Sequence, residues 1–215
     1  MAFASSGFKG KIGVLTEEHF DETEFRRFNE FFPAHGYEIE YITHLWGQEK
    51  LTFKGNDFTS EVTVSKEVAD VNLADYRAII LIGGYAMDRL RYQEHPRQGQ
   101  PNTAPAVEFL RKAVRAMDSG HLKIGAICHS LWLFCAAPET LAGRKVTCAH
   151  NIMGDVENAG GTLIFDGDQL IDTWVDGGLI TGKHPGVVEE FMPIFLAELK
   201  KSARDGAGQL IEGRA

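Results

Sequence analysis

The chain has 215 residues, 44% of them hydrophobic, and a formal net charge of -8 at neutral pH. That length fits one large domain with a sizeable core, and the negative charge argues against nucleic acid and anionic membranes as main partners. No apolar run approaches the roughly 18 residues of a membrane span, and three cysteines make no disulfide framework.

The opening MAFASSGFKGKIG has no apolar stretch of secretory length, so a reducing cytoplasm is the expected location. KIGVLT, 11–16, reads as a short buried strand. DETEFRRFNEFFPAHG then carries Phe25, Phe28, Phe31 and Phe32 at helical spacing, with Gly36 as the stop. YEIEYIT, 37–43, alternates like a half-buried strand, and LTFKGNDFTSEVTV, 51–64, reads as a hairpin around Gly55 and Asn56. YRAIILIGG, 76–84, is the strongest buried strand and ends in a glycine pair. The polar loop RYQEHPRQGQPNTAP, 91–105, is longer than most connections.

APAVEFLRKAVRAMDSG, 104–120, is an amphipathic helix, HLKIGAI a further buried strand, and HSLWLFCAA its following helix. RKVTCA, a short helical NIMGDVENAG, then TLIFD, LIDTWVD and GLITG complete the strands. GVVEEFMPIFLAELKKSA, 186–203, closes the pattern with a helix interrupted by Pro193. Buried strands alternating with helices predict one α/β domain over 1–203, a three-layer sandwich around a mostly parallel sheet. Residues 204–215, with their IEGR, have the form of a protease-cleavage remnant and are expected to lie outside the fold.

Sheets of this kind place ligands at the carboxyl ends of their strands. Three stretches sit there: the turn after KIGVLT, the pair Gly83 and Gly84, and Cys128 with His129 beside it. A thiol where a strand turns into a helix is exposed to backbone N–H groups and the helix dipole. The dipole is worth about 0.3–1 kcal/mol, or up to about 2 when partly buried. That is too little to ionise fully a thiol with a free value near 8.5, so a reactive Cys128 needs a further partner. Cys135 and Cys148 read as structural filling, and no spacing of Cys and His suggests a zinc site or any other metal.

AICHS, with Gly125 before it and an apolar segment after it, resembles the nucleophile motif of the DJ-1/PfpI superfamily. KIGVLTEEHFDETEF is similar to the first strand and acid-bearing turn of its PfpI branch. FKGNDFTSEVTVSKEVADVNLADYRAIILIGG resembles the hairpin and second buried strand, and LAGRKVTCAHNIMGDVENAGG the stretch after the nucleophile. The resemblance covers the chain from Lys11 to about Leu199 and implies a flavodoxin-like, class I glutamine amidotransferase-like fold with no cofactor.

It also implies a site. The family's acid, hydrogen-bonded to the thiolate, falls on Asp21, where most relatives have Glu; Glu18 is the alternative. Asp21 with Glu24 three residues on reads equally as a capping box. His129 falls on the family's catalytic histidine, and Asp88 on the acid that orients it from a neighbouring subunit. Gly83 and Gly84, with the amide after the nucleophile, correspond to the oxyanion hole; Ser130 stands where relatives have glycine. His184 in GKHPG is a second candidate partner for Cys128. The implied activity is cysteine-dependent attack on an electrophilic carbonyl of a small molecule or peptide, as glyoxalase, deglycase, amidase or peptidase, in a homodimer or larger homo-oligomer. A stress-response chaperone or redox sensor using an oxidisable Cys128, and an isocyanide-hydratase-like lyase suggested by Asp21, are the alternatives.

Overall fold

The computed structural model describes residues 8–212. In chain order the first unit is β1 (Gly10–Leu15), α1 (Glu22–Ala34) and β2 (Tyr37–Ile42), followed by a hairpin of β3 (Leu51–Lys54) and β4 (Glu61–Val64). β5 (Ala78–Leu81), α2 (Ala86–Leu90), α3 (Pro105–Asp118) and β6 (Lys123–Ile127) come next. α4 (Trp132–Cys135), β7 (Lys145–Val146), α5 (Met153–Asn158), β8 (Thr162–Leu163), β9 (Phe165–Asp166) and β10 (Gln169–Leu170) lead to β11 (Thr173–Asp176), β12 (Leu179–Gly182) and α6 (Val188–Glu212).

Six strands form the central sheet in the order β11-β12-β6-β5-β1-β2. All neighbours run parallel except β11, which pairs antiparallel with β12. Without that edge the strands follow the flavodoxin-like order. Every residue of β5 and all but the first of β6 are buried, as expected of strands covered on both faces. On one face α1 and α6 meet, the Phe32 ring set edge-on to Phe195 at 5.9 Å. On the other, α3 turns in Val107, Leu110, Val114 and Met117 at helical spacing.

Several elements differ from the sequence reading. The segment after the glycine pair, to which the sequence assigns no element, is the short helix α2, and it carries Asp88. TLIFD breaks at Ile164 into β8 and β9, and neither piece joins the main sheet. α6 runs through Pro193 and past Ala203 to Glu212, so the expected tail continues the helix, while 213–215 lie outside the described residues. None of the helices among the described residues is long and apolar enough to cross a membrane.

The hairpin is pinned to α1 by Glu22, which is fully buried and accepts from the Thr59 N–H at 2.9 Å and from the Thr59 hydroxyl. Burial works to raise this carboxyl, but hydrogen bonds from Thr59 and Ser60 outweigh it and hold it at about 2. A depressed carboxylate stabilises the fold above its ordinary value of 4.5, and the contribution is lost as pH falls towards about 2. Glu22→Gln is therefore expected to flatten the stability profile between those pH values in an acid-unfolding titration.

Candidate active site

β6 ends in extended Ile127 (φ -126°, ψ 146°), and Cys128 then turns the chain with φ +60°. A left-handed φ in a residue with a side chain costs about 1–2 kcal/mol, and such strain collects at functional sites. The elbow sets the thiol at the carboxyl edge of the sheet, 5% exposed. A single 3-10 turn, Cys128–Leu131, follows, and α4 has only four residues. The longer helix expected there is trimmed at both ends: its start stays in the 3-10 turn, and Pro138 disfavours helix at Ala137 (φ -135°, ψ 66°). With so short a helix there is little macrodipole to act on the sulfur. The backbone N–H groups of Gly84 and His129 take its place, both donating to it.

Gly83 does not share that duty. Its N–H donates to Glu24 Oε2 at 2.7 Å. A methyl group on Gly83 would stand 2.5 Å from Glu24 Oε1 and 2.9 Å from Cys128 Cβ, so the carboxyl and Cys128 flank this glycine. Oε1 is buried with no hydrogen-bond partner.

The acid next to Cys128 is thus Glu24, where the sequence reading placed Asp21. Asp21 is the N-cap of α1, its Oδ1 accepting from the Glu24 N–H at 3.0 Å. A reciprocal capping box would send Glu24 back to the Asp21 N–H. That N–H donates instead to Gly83 O at 3.1 Å, which releases the Glu24 side chain towards the sulfur. The signal was present in the sequence: Glu24 shares one helical stripe with Phe28 and Phe32, and all three are fully buried. Glu18, the alternative acid, is engaged elsewhere, accepting from the Lys54 N–H of the hairpin at 3.0 Å.

Burial, then the charge of Asp21, hold the Glu24 carboxyl well above the usual range, against the Gly83 hydrogen bond. Burial also pushes the Cys128 thiol up; charges on Glu24 and Asp21 add to this, and the Gly84 and His129 amides oppose it. The raised Glu24 carboxyl favours its neutral form, which weakens the repulsion at the sulfur, and the two groups titrate as a pair. Burial is the largest influence on the other two thiols as well, pushing Cys135 up to about 11 and Cys148 up to about 12. Asp21→Ala is expected to cost about 1 kcal/mol in denaturant unfolding, the value of a lost cap. Alkylation of Cys128 by iodoacetamide should not slow, since the change removes a charge that opposes ionisation.

His129 places Nδ1 3.2 Å from Cys128 Sγ and Nε2 2.9 Å from Asn151 Oδ1. Its ring lies between Tyr85, at 5.8 Å and 16°, and Trp132, at 4.9 Å and 28°. Burial, the largest influence, lowers its basicity, while the Asn151 hydrogen bond works the other way. Asn151 went unnoticed in the sequence because it lies 22 residues along the chain. Asp88 does not meet His129 within one chain; it is exposed and binds Arg91 at 2.6 and 2.9 Å. His184 does not reach the thiol either, its Nδ1 accepting from the Gly186 N–H at 3.0 Å. Ser130 is fully buried, and its hydroxyl has no hydrogen-bond partner. Beside α2, a cavity of about 500 Å³ is lined by Trp46, Asp88, Arg89 and Tyr92. Its walls are tied to buried Glu17, which accepts from Trp46 Nε1 at 3.3 Å and Arg89 Nε at 3.1 Å.

A flavodoxin-like sheet bearing a strained cysteine at a strand end, backed by a buried carboxyl and two amides, defines an α/β protein with a cysteine-centred site. Residues 10–198 match the DJ-1/PfpI family, and the chain belongs to it. It is 30% identical over 191 residues to General stress protein 18 of Bacillus subtilis, covering 89% of this chain and 98% of that protein. Protein/nucleic acid deglycase 2 of Escherichia coli is 32% identical over 166 residues, covering 75% of this chain and 86% of that protein. Among solved structures, a two-domain protein from Anabaena variabilis with dj-1/thij/pfpi-like and ferritin-like domains superposes with a TM-score of 0.73 at 24% identity. The match covers 89% of this chain and 48% of that one.

Proposed function

We propose that the protein is a cysteine-dependent enzyme acting on electrophilic carbonyl carbon, with carbonyl adducts of amines as its substrate class. The observation that carries this reading is the Cys128 elbow (φ +60°), its sulfur accepting from the Gly84 and His129 amides and flanked by Glu24. Cys128 Sγ attacks the carbonyl carbon, a C–S bond forms, and the C=O electron pair moves to oxygen. The Gly84 and His129 amides at the sulfur are the donors available to that oxygen as its charge develops. His129 takes the thiol proton and returns it to the oxygen; where the carbonyl carbon carries nitrogen, collapse of the oxyanion breaks the C–N bond, the proton goes to the departing nitrogen, and water then hydrolyses the thioester to free Cys128. Support for the substrate class comes from the relative named as a deglycase.

The test is a panel of methylglyoxal, a methylglyoxal-glycated lysine peptide and a small peptide amide, run on wild type and Cys128→Ala side by side. Turnover by wild type and its loss in the variant are expected; equal rates on every substrate overturn the reading. The relative named as a stress protein favours a second reading, in which Cys128 is a redox sensor. Its sulfinic acid would be held by the same donors, and mass spectrometry would find two added oxygens at low peroxide without turnover of any substrate. The hydratase alternative loses its ground, because it rested on an aspartate as the acid beside the thiol. We also propose that copies associate through the hairpin and the region of Asp88; Phe58 at the hairpin tip, 67% exposed, supports this.

A further inference from the structure

We infer that Asn151 completes a Cys128–His129–Asn151 relay within a single chain, holding His129 with its proton on Nε2 so that Nδ1 faces the thiol as the base. The inference rests on the reading of Cys128 as a nucleophile, and Asn151 enters it as a positioning residue.

The hydrogen bonds set the proton's place. Asn151 Oδ1, 2.9 Å from Nε2, only accepts, so the ring donates from Nε2. A neutral imidazole with its proton there has a bare lone pair on Nδ1, 3.2 Å from Cys128 Sγ. When the thiol proton moves to Nδ1, the ring becomes imidazolium, and both its N–H groups keep a partner, one the thiolate and one Oδ1. No hydrogen bond is lost in the transfer. With the amide reversed, Asn151 Nδ2 would donate to Nε2, the ring proton would sit on Nδ1, and the thiol would have no base.

The ring has little freedom to do anything else. Stacking on Tyr85 and Trp132 fixes its plane, and the two end-on hydrogen bonds fix its rotation within that plane. Asn151 is itself held to the elbow. The Ala149 N–H, two residues before it, donates to the carbonyl of Cys128 at 3.1 Å. Asn151 then lies in the 3-10 turn His150–Ile152, anchored by fully buried Ile152. The base and its orienting group are therefore tied to the backbone of the nucleophile. An amide suits this task differently from a carboxylate: it favours the imidazolium through one hydrogen bond without adding a full negative charge beside the ring. Asp88, whose charge is taken by Arg91, is not needed for the alignment.

The test uses the full chain and needs no substrate. Cys128 is alkylated with iodoacetamide across acid to alkaline pH in wild type, Asn151→Ala and Asn151→Asp, and the His129 tautomer is read from long-range ¹H–¹⁵N spectra. Asp21, His150 and His184 also act on His129, and Glu24 on Cys128, and all stay constant across the set. In wild type the Nε2–H form is expected. Asn151→Ala should mix the tautomers and slow alkylation about tenfold, the loss of one charge-assisted hydrogen bond. Asn151→Asp should restore the Nε2–H form and move the alkaline limit of the imidazolium to higher pH, a shift that mere loss of packing would not produce. An unchanged tautomer and rate in Asn151→Ala, with wild-type Cys128 reactive, overturns the assignment of Asn151 alone. A wild-type ring protonated on Nδ1 overturns it as well. If wild-type Cys128 reacts no faster than a free peptide cysteine, the nucleophile reading falls, and the relay with it.

Discussion

Glu24→Leu is expected to slow alkylation of Cys128 by about 10–100-fold at neutral pH. The leucine keeps the volume of a fully buried side chain but removes both oxygens. The Gly83 N–H, which donates to Oε2 at 2.7 Å, is left without its acceptor. The sulfur loses the carboxyl that flanks it at Gly83. A hydrogen bond to a charged group is worth about 1.5–3 kcal/mol, which corresponds to about one to two pKa units on the thiol and the stated loss of thiolate. Glu24→Gln separates donation from charge. Its amide can accept from Gly83 and still offer an N–H to the sulfur, so it should recover most of the rate. The same pair of variants carries a stability signature. A carboxyl held above its ordinary 4.5 keeps a proton that the unfolded chain releases, so the native state loses stability as pH rises from there towards the folded value. Glu24→Gln, which cannot titrate, should remove that decline in urea titrations. Wild-type alkylation rates in Glu24→Leu would remove Glu24 from the site.

The position of Cys128 at the end of its strand was legible in the sequence because it depends on local rules. A buried run ending in Cys128 and another ending in Gly83 and Gly84 both mark the carboxyl edge of a parallel sheet, and the observed strand order places them on adjacent strands. The acid was harder, because two residues of one motif competed for it. Asp21 and Glu24 stand where a capping box would use both, and the box was read with the correct N-cap but the wrong fate for its second member. What decides the matter is a long-range contact: the Asp21 N–H goes to Gly83 O, and no local pattern announces that. Burial of an acid on the phenylalanine stripe of α1 was the available clue. His129 illustrates the same limit. Its neighbour in sequence, Cys128, was visible, whereas Asn151 reaches it only because the turn after β7 is hydrogen-bonded back to the elbow. The apolar pattern of HSLWLFCAA outlines a helix but announces neither the 3-10 turn at its start nor the stop that Pro138 sets at its end.

Gly84→Ala is expected to be the most destabilising of these changes, by about 2–5 kcal/mol. Two costs add. Gly84 has φ +75°, where a side chain costs about 1–2 kcal/mol. Its added Cβ would also stand 2.3 Å from His19 O, 2.7 Å from Asp21 N and 2.8 Å from Phe20 C. These are backbone atoms, so no rotamer change relieves the overlap, and forced overpacking costs typically about 1–3 kcal/mol. The chain cannot step aside easily. Tyr85 N–H donates to His19 O at 2.9 Å, Asp21 N–H donates to Gly83 O at 3.1 Å, and Phe20 bridges to Gly84 between them. This clamp joins the turn after β1, which leads through Asp21 into α1 and Glu24, to the turn after β5, which supplies the Gly84 amide to the sulfur. Thermal unfolding should therefore fall by about 5–15 °C, and the folded fraction should alkylate more slowly at Cys128. Gly143→Ala supplies the comparison, since Gly143 has φ +78° with nothing within 4 Å of an added Cβ. It should lose only the conformational part, about 1–2 kcal/mol, with thiol reactivity unchanged. Equal losses in the two variants would mean that the clamp yields at little cost and does not hold the two halves of the site in register.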